Sequence, residues 1–454
     1  MAGGDVIAAV ATAAGEGGIG VIRLSGAEAL AVARRVWRGV VPEAGRFRHG
    51  YVVDPEDRSV IDEALLLVFR APHSYTGEDV VELQCHGGSV ALGRCLAAVL
   101  AAGARAARAG EFTERAFLNG RIDLSQAEAV IDVIRARTAA GLRQAVGQLS
   151  GRLAAAVGRL RHEAIGLLAA IEAAVDYPDE VDEPDRRGLA EQLLASATAA
   201  EALAGTYRRG HLVRDGLSVA IIGRPNVGKS SLLNALAGAE RAIVTAVPGT
   251  TRDAVRDWVD IGGVPVELVD TAGLRAGGDE IERLGMERSR QWIERADVLM
   301  VVIDGHLPPV AEDEQVLTEV DCGRALLVLN KSDLGLSPAA VRFGRDFGAG
   351  LGVVEASAVT PGGCDLLVSR LGELARAGQP PEAGAVATRE RHRRALADAA
   401  AALRDGAAAA QAGVPLDLLV IDLRRALQAL GEITGETVSE DVIERIFADF
   451  CVGK

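Results

Sequence analysis

Gly223-Arg224-Pro225-Asn226-Val227-Gly228-Lys229-Ser230-Ser231 is the stretch on which the reading of this 454-residue chain turns. Before it runs Leu217-Ser218-Val219-Ala220-Ile221-Ile222, apolar and β-branched, as a buried parallel strand requires. After it runs Leu232-Leu233-Asn234-Ala235-Leu236-Ala237, rich in helix formers and closed by Gly238. Strand, glycine-bounded loop, Lys-Ser and helix together predict a phosphate-binding loop. Glycines let successive N–H groups of Val227, Gly228 and their neighbours turn toward phosphate oxygens, and the helix N-terminus adds its positive end. Lys229 is then placed for the β- and γ-phosphates, the Ser230 hydroxyl for Mg²⁺, and Ser231 for the cradle behind them.

Three further stretches fall in order downstream. Pro248-Gly249-Thr250-Thr251-Arg252-Asp253 lies where a switch loop belongs, and a threonine hydroxyl there completes a Mg²⁺ shell only while the γ-phosphate is present. Val266-Glu267-Leu268-Val269-Asp270-Thr271-Ala272-Gly273 is an apolar strand ending in Asp-x-x-Gly, with Asp270 for Mg²⁺ through water and the Gly273 amide for the γ-phosphate. Leu326-Leu327-Val328-Leu329 runs into Asn330-Lys331-Ser332-Asp333. The Asp333 carboxylate matches the N1–H and 2-amino donors of guanine; adenine offers neither, so a buried, unpaired Asp333 would penalise ATP by several kcal/mol. Ser357-Ala358 adds a backbone donor for guanine O6. This order of motifs predicts a GTPase. Leu274 stands where a water-orienting glutamine is expected, which shifts attention to the acidic run Asp279-Glu280-Ile281-Glu282. The Asn226 amide oxygen is suited to a monovalent cation beside the phosphates.

Composition bounds the alternatives. About 150 residues per domain suggests three units. Apolar residues make up 49% of the chain and aromatics 3%, which favours alanine-rich helix packing. The net charge of −14 argues against phosphate-driven nucleic-acid binding over the whole surface, so any RNA contact needs a local patch or a basic partner, and DNA binding is not expected. The five cysteines are widely spaced and form no C-x-x-C pair, so the sequence supports neither a disulfide framework nor a zinc site. No signal peptide or membrane span is expected, and a cytoplasmic location follows.

The chain reads as α/β and α. Residues 1–121 are an α+β region with strands at Val6–Thr12, Gly20–Leu24, Ala64–Phe69 and Asp79–Gln84, and a helix from Gly87-Gly88 to about Gly103. Residues 122–216 are helical. Ser125-Gln126-Ala127-Glu128 predicts a capping box, and Leu142, Leu149, Leu153 and Leu160 predict one face of a long helix. The acidic run Asp176–Asp185 reads as a solvated loop. Residues 217–376 alternate strand and helix as a doubly wound sheet, with a hairpin at Gly262-Gly263 and an antiparallel edge. Residues 377–454 are helical again, at 389–411, 415–430 and 438–450, the last behind a second capping box, Thr437-Val438-Ser439-Glu440. The nucleotide domain is thus inserted between two segments of one helical bundle.

With these motifs in place the chain resembles the MnmE (TrmE) family of tRNA-modifying GTPases over its whole length. Gly223 to Ser231, Gly249–Asp253, Asp270–Leu274, Asp279–Arg288, Gly17-Gly18-Ile19-Gly20-Val21-Ile22-Arg23, Gly110–Asn119 and above all Cys451-Val452-Gly453-Lys454 carry the likeness. The resemblance implies a folate-binding, dimerising N-terminal domain, a discontinuous helical domain and an inserted Ras-like P-loop GTPase domain. It implies a K⁺-stimulated GTPase, a homodimer that joins the FAD protein MnmG in a heterotetramer. The product would be a 5-aminomethyl or 5-carboxymethylaminomethyl group on the wobble uridine of tRNA. The carbon would come from 5,10-methylene- or 5-formyl-tetrahydrofolate. By motif match, Asn226, Thr245, Val247 and Thr250 resemble K⁺ ligands, with Ala246 among the GTP-binding residues. Ser230 and Thr251 resemble Mg²⁺ ligands, and Glu282 the water-orienting acid. Arg23, Glu82, Arg121 and Lys454 match folate-contacting positions, although lysine is also familiar at position 121. Cys451 is the candidate thiolate for uracil or carbon transfer. The alternative is a ribosome-assembly GTPase that switches without modifying RNA; it lacks support from a second G domain or a basic RNA module.

Overall fold

A computed structural model describes residues 5–238, 256–270, 292–318, 320–347, 350–376 and 384–454. The chain forms two compact units: Met1–Ile131 with Gln148–Thr198 and Asp398–Lys454, and Asp132–Gly147 with Ala199–Ala397.

The first unit holds a seven-stranded sheet: β1 Ile7–Val10, β2 Gly20–Ser25, β3 Trp37–Arg38, β4 Phe47–Val53, β5 Val60–Phe69, β6 Val80–Cys85 and β7 Arg105–Ala106. Its order is β3-β4-β5-β6-β2-β1-β7, antiparallel except for the β1–β7 pair. Alternate residues of β2, β5 and β6 (Ile22 and Leu24, Leu66 and Val68, Val81 and Leu83) meet the apolar sides of helices Ala29–Arg35 and Ser89–Ala101 in one core. The four predicted strands and the helix after Gly87-Gly88 are present. β3, β4 and β7 are additional. β3 and β7 are two residues long, and β4 exposes Arg48, His49 and Tyr51, which hides its buried face from a hydrophobicity pattern.

The same unit contains helices Arg152–Asp176 and Leu416–Thr434, packed together with Leu189, Leu193, Ala197, Leu403 and Ala407. Buried alanines at Ala164, Ala197, Ala407 and Ala426 let these helices approach closely. Leu193 is fully buried there, and truncating such a leucine to alanine costs about 2–5 kcal/mol.

Two local expectations are corrected. The leucine repeat does not lie on one helix: Ala139–Leu149 and Arg152–Asp176 are separate, because Gly151 takes a left-handed φ of +83°, and Leu142 is exposed. Neither capping box forms as expected. Helix Leu124–Arg135 is capped by Asp123, whose Oδ1 accepts from the Gln126 N–H at 3.1 Å while Gln126 Oε1 accepts from the Asp123 N–H at 3.0 Å; Ser125 donates to Asp123 instead. Thr437 donates to the Gln428 carbonyl, and Ser439, at the N-cap of Glu440–Ala448, makes no side-chain cap bond. In both cases a nearby polar group reaches the competing partner first. The loop after Asp176 is exposed as expected.

The second unit is built on a six-stranded sheet: β8 Leu217–Ile222, β9 Arg256–Ile261, β10 Val264–Asp270, β11 Val298–Asp304, β12 Ala325–Asn330 and β13 Val353–Glu355. Its order is β13-β12-β11-β8-β10-β9, parallel throughout except for β9, which pairs antiparallel with β10. The hairpin and antiparallel edge are as expected. β10 and β11 flank β8 on opposite sides, so the order reverses at β8 and opens a crevice at the carboxyl ends of the strands.

Candidate functional site: a phosphate loop and a tail-closed pocket

In the second unit the residues after β8 turn into helix Lys229–Leu236 through Gly228, whose φ is +95°. A Cβ there would lie 2.3 Å from Asn330 Nδ2, so only glycine fits. Lys229 is buried, its Nζ donating to the Gly223 and Arg224 carbonyls at 2.9 and 2.7 Å, folded along the loop it serves. Ser230 Oγ donates to Asp270 Oδ2 at 2.7 Å, bringing a hydroxyl and a carboxylate together at the β8 and β10 ends. Two hard oxygen donors fit Mg²⁺.

Asn330 Nδ2 donates to the Val227 carbonyl at 2.7 Å, and its Oδ1 is buried with no partner among the described residues, an acceptor left for an incoming donor. Lys331 donates to the Asn226 carbonyl at 3.1 Å and to Asp304 Oδ2 at 2.7 Å. Burial pushes the Asp304 carboxyl up, but the hydrogen bond and charge of Lys331 outweigh it and hold it below its ordinary value. Asp333 Oδ1 accepts from Ser357 Oγ at 2.7 Å. The Asp333 side chain is exposed, contrary to the buried carboxylate of the sequence argument; any desolvation that penalises adenine has to come from the base covering it. Ser357 N–H is taken by the Gly363 carbonyl, and Ala358 follows it at the end of β13. The structure thus gathers Asn226, Val227, Gly228, Lys229, Ser230, Asp270, Asn330, Lys331, Asp333 and Ser357 at one sheet edge, with Ser231 in the first helical turn. Thr245, Ala246, Val247, Pro248, Gly249, Thr250, Thr251, Thr271, Ala272, Gly273 and Glu282 lie outside the described residues. The sequence reading passes over Asp304 and over Asp313, a buried carboxylate that accepts from Arg224 Nε at 3.1 Å and holds the loop from behind.

The first unit carries a second polar cluster. Arg23 on β2 and Glu82 on β6 are direct cross-strand partners, with Nε to Oε1 at 2.8 Å. The Arg23 guanidinium carbon lies 5.1 Å from the Tyr75 ring centroid and 5.8 Å from that of Phe112. Arg121 lies 5.3 Å from the same Tyr75 ring and donates to the Tyr75 carbonyl at 2.9 Å. Tyr75, Phe112 and Thr113, which bonds the Tyr75 hydroxyl at 2.8 Å, are not singled out by sequence reasoning; an aromatic in the Gly110–Asn119 motif was the available signal.

Residues 450–454 close this cluster. Val452 makes an antiparallel bridge with Ala109, the Gly110 N–H donates to the Cys451 carbonyl, and the Phe112 N–H donates to the Lys454 carbonyl. Gly453 has φ +93° and is so close to β1 that a Cβ would meet the Val10 carbonyl at 2.2 Å. Behind the tail, Phe447 and Phe450 are buried with Leu124, Ala127 and Ile131. Burial, and then the neighbouring Arg23 charge, hold the Lys454 amine below its ordinary pKa against the opposing pull of Glu82 and Cys451. The Cys451 thiol is exposed. Three cations, a carboxylate and an aromatic face suit a flat, polar heterocycle bearing both donors and acceptors.

These two sites define a P-loop GTPase fused to a TrmE-type N-terminal domain. The GTP-binding protein TrmE N-terminus family matches residues 6–121 and the MnmE helical domain family residues 124–451. The "tRNA modification GTPase MnmE" of Geobacillus kaustophilus is 45% identical over 464 residues, covering 99% of each chain. Its namesake from Symbiobacterium thermophilum is 46% identical over 465 residues and 100% of both chains, and that from Chloroflexus aurantiacus 48% identical over 456 residues, 99% of this chain and 100% of its own. The chain belongs to the MnmE family of tRNA modification GTPases. Among solved structures, the G domain of the T. maritima FeoB iron transporter is similar at 26% identity, over 35% of this chain and 98% of that one, with a TM-score of 0.27. Among the described residues no helix is long and apolar enough to cross a membrane.

Proposed function

We propose that this chain is a K⁺-stimulated, Mg²⁺-dependent GTP hydrolase that acts in the cytoplasm as a homodimer. In this reading it works with an FAD-dependent MnmG-type partner to build 5-aminomethyl or 5-carboxymethylaminomethyl groups on the wobble uridine of tRNA. The observation that carries this reading is the seating of Cys451-Val452-Gly453-Lys454 beside Arg23 and Glu82. When bound, a tetrahydrofolate derivative supplies the one-carbon unit, the partner's flavin the redox chemistry, and Mg²⁺ the charge neutralisation at the phosphates.

The chain's own residues do the rest. Lys229 exchanges its carbonyl partners for phosphate oxygens, and Ser230 with Asp270 holds the metal side of the site. Asp333, held by Ser357, reads the guanine edge. Glu282 orients the attacking water, and Asn226 with Thr245, Val247 and Thr250 forms the K⁺ site; that part rests on the family resemblance, with Asn226 alone inside the described residues. Glu82 accepts from a heterocycle's N–H groups, while Arg23, Arg121 and Lys454 meet its carbonyl or carboxylate oxygens. Cys451 offers an exposed sulfur beside the Lys454 amine.

The test is a paired assay of Cys451→Ser on one preparation: GTP hydrolysis, and wobble-uridine modification reconstituted with the flavin partner, folate and FAD. Hydrolysis near wild type with modification abolished supports the reading. Full modification by the serine variant removes Cys451 from the chemistry. Hydrolysis in K⁺ and Na⁺ at matched ionic strength tests the cation; equal rates remove the K⁺ site.

A further inference from the structure

Three ligand-bearing side chains from three separate elements meet away from both sites described above. Cys85 ends β6, Cys95 lies on the sheet-facing side of helix Ser89–Ala101 with Leu92, Ala98 and Val99, and Asp62 lies on β5. The two sulfurs and a carboxylate oxygen all lie within 4.8 Å of one another, the one grouping of this kind among the described residues. Cys85 and Cys95 are 3% and 0% exposed, and Cys85 Sγ donates to the Leu83 carbonyl at 3.8 Å. Asp62 is held in place by His86, which donates from its backbone N–H to Oδ2 at 2.8 Å and pairs through Nδ1 with Oδ1 at 2.7 Å.

We infer that Cys85, Cys95 and Asp62 bind one thiophilic divalent cation, Zn²⁺, with His86 orienting the ligating carboxylate. The donor set is two sulfurs and one oxygen, suited to a borderline-soft ion and poorly matched to Mg²⁺ or Ca²⁺. Tetrahedral zinc, with Zn–S near 2.3 Å and Zn–O near 2.0–2.2 Å, needs neighbouring ligand atoms roughly 3.5–3.8 Å apart. Closing the present cluster to that geometry takes shifts of about 1 Å. Water takes the fourth position. Binding replaces both S–H bonds by S–Zn bonds and releases two protons, with no oxidant or reductant. Carboxylates that ligate metals are themselves held by hydrogen bonds, and His86 supplies that support to Asp62. The sequence hides this site because Cys85 and Cys95 are ten positions apart; reversal of the chain at His86-Gly87-Gly88 lays the helix back over the strand and brings them together.

The experiment uses the full chain, freed of metal with a chelator and then titrated with Zn²⁺ alone, with Co²⁺ as a spectroscopic substitute. Expected are one Zn²⁺ retained per chain, two protons released, thiolate-to-cobalt absorption, and protection of Cys85 and Cys95 from alkylation as mapped by peptide mass spectrometry. Cys95→Ser and Asp62→Asn should lower the affinity at least tenfold and His86→Ala by about 10–100-fold, with GTP hydrolysis unchanged. Retention of less than stoichiometric metal, or equal affinity in Cys95→Ser, overturns the proposal. So does a wild-type peptide pair joined through Cys85 and Cys95 with loss of two hydrogens under the same conditions, which would make the pair a disulfide. Should a serine variant fail to fold, the alkylation map of the wild-type chain decides alone.

Discussion

Asn330, at the end of β12, reaches across the crevice and donates from Nδ2 to the Val227 carbonyl at 2.7 Å, so the base-reading strand and the phosphate loop are one hydrogen-bonded object. Removing the amide leaves a buried carbonyl unpaired, at a cost of about 1–3 kcal/mol. Asn330→Ala should therefore weaken GTP and GDP alike by roughly 5–150-fold, with the base and phosphate subsites failing together. Equilibrium binding of a fluorescent guanine nucleotide measures this. Wild-type affinity would mean that the loop holds its shape without Asn330.

Asp333 should carry the guanine preference. Asp333→Asn replaces an acceptor by an amide that donates to the 2-oxo group of xanthine, so preference should move from GTP to XTP. Competition between the two nucleotides reads the switch. If GTP binding is unchanged, Asp333 does not contact the base.

Gly453 tests the tail without touching its chemistry. A methyl group at this position runs into the Val10 carbonyl, and a left-handed φ of +93° adds strain of about 1 kcal/mol or more. Gly453→Ala should release the segment, speed alkylation of Cys451 and abolish tRNA modification, while GTP turnover by the other unit stays within about twofold of wild type. Modification at the normal rate would show that the tail need not dock.

Glu111 should make the first unit acid-labile. Burial raises its carboxyl, but hydrogen bonds from Arg105 and the Arg108 N–H, with the charges of Arg105 and Arg115, lower it from 4.5 to about 2. A depressed carboxylate stabilises the fold fully above its unfolded pKa and loses that contribution as the pH falls through its folded one. Its ceiling is about 3 kcal/mol. Urea midpoints of wild type and Glu111→Gln should differ at pH 7, converge below pH 4.5 and meet near pH 2. A gap that stays constant down to pH 3 would assign the effect to packing.

Much of the nucleotide site was legible because its residues follow apolar strands in a fixed order, so strand ends could be located before any coordinates. The N-terminal cluster was legible only through family likeness. Arg23, Glu82 and Lys454 are far apart in the chain, and nothing in their spacing predicts the cross-strand pair or the Tyr75–Phe112 aromatic surround. Local polar chemistry was the least readable. Ser125 and Asp123 compete for the same helix end, and a two-residue difference in reach decides the cap. Gly151 was equally opaque, since a leucine repeat continues across it while the backbone does not.

The bridge between Ala109 and Val452 also has a kinetic side. Contacts so distant in sequence are entropically expensive to close and form after local ones. During refolding, the sheet and helices of the first unit should gain structure before the pocket beside Arg23 exists. A probe on residue 452 would then report a slower phase than far-ultraviolet ellipticity. The docked tail is, in this sense, a certificate of completed assembly: the pocket exists only in chains whose distant parts have already found one another.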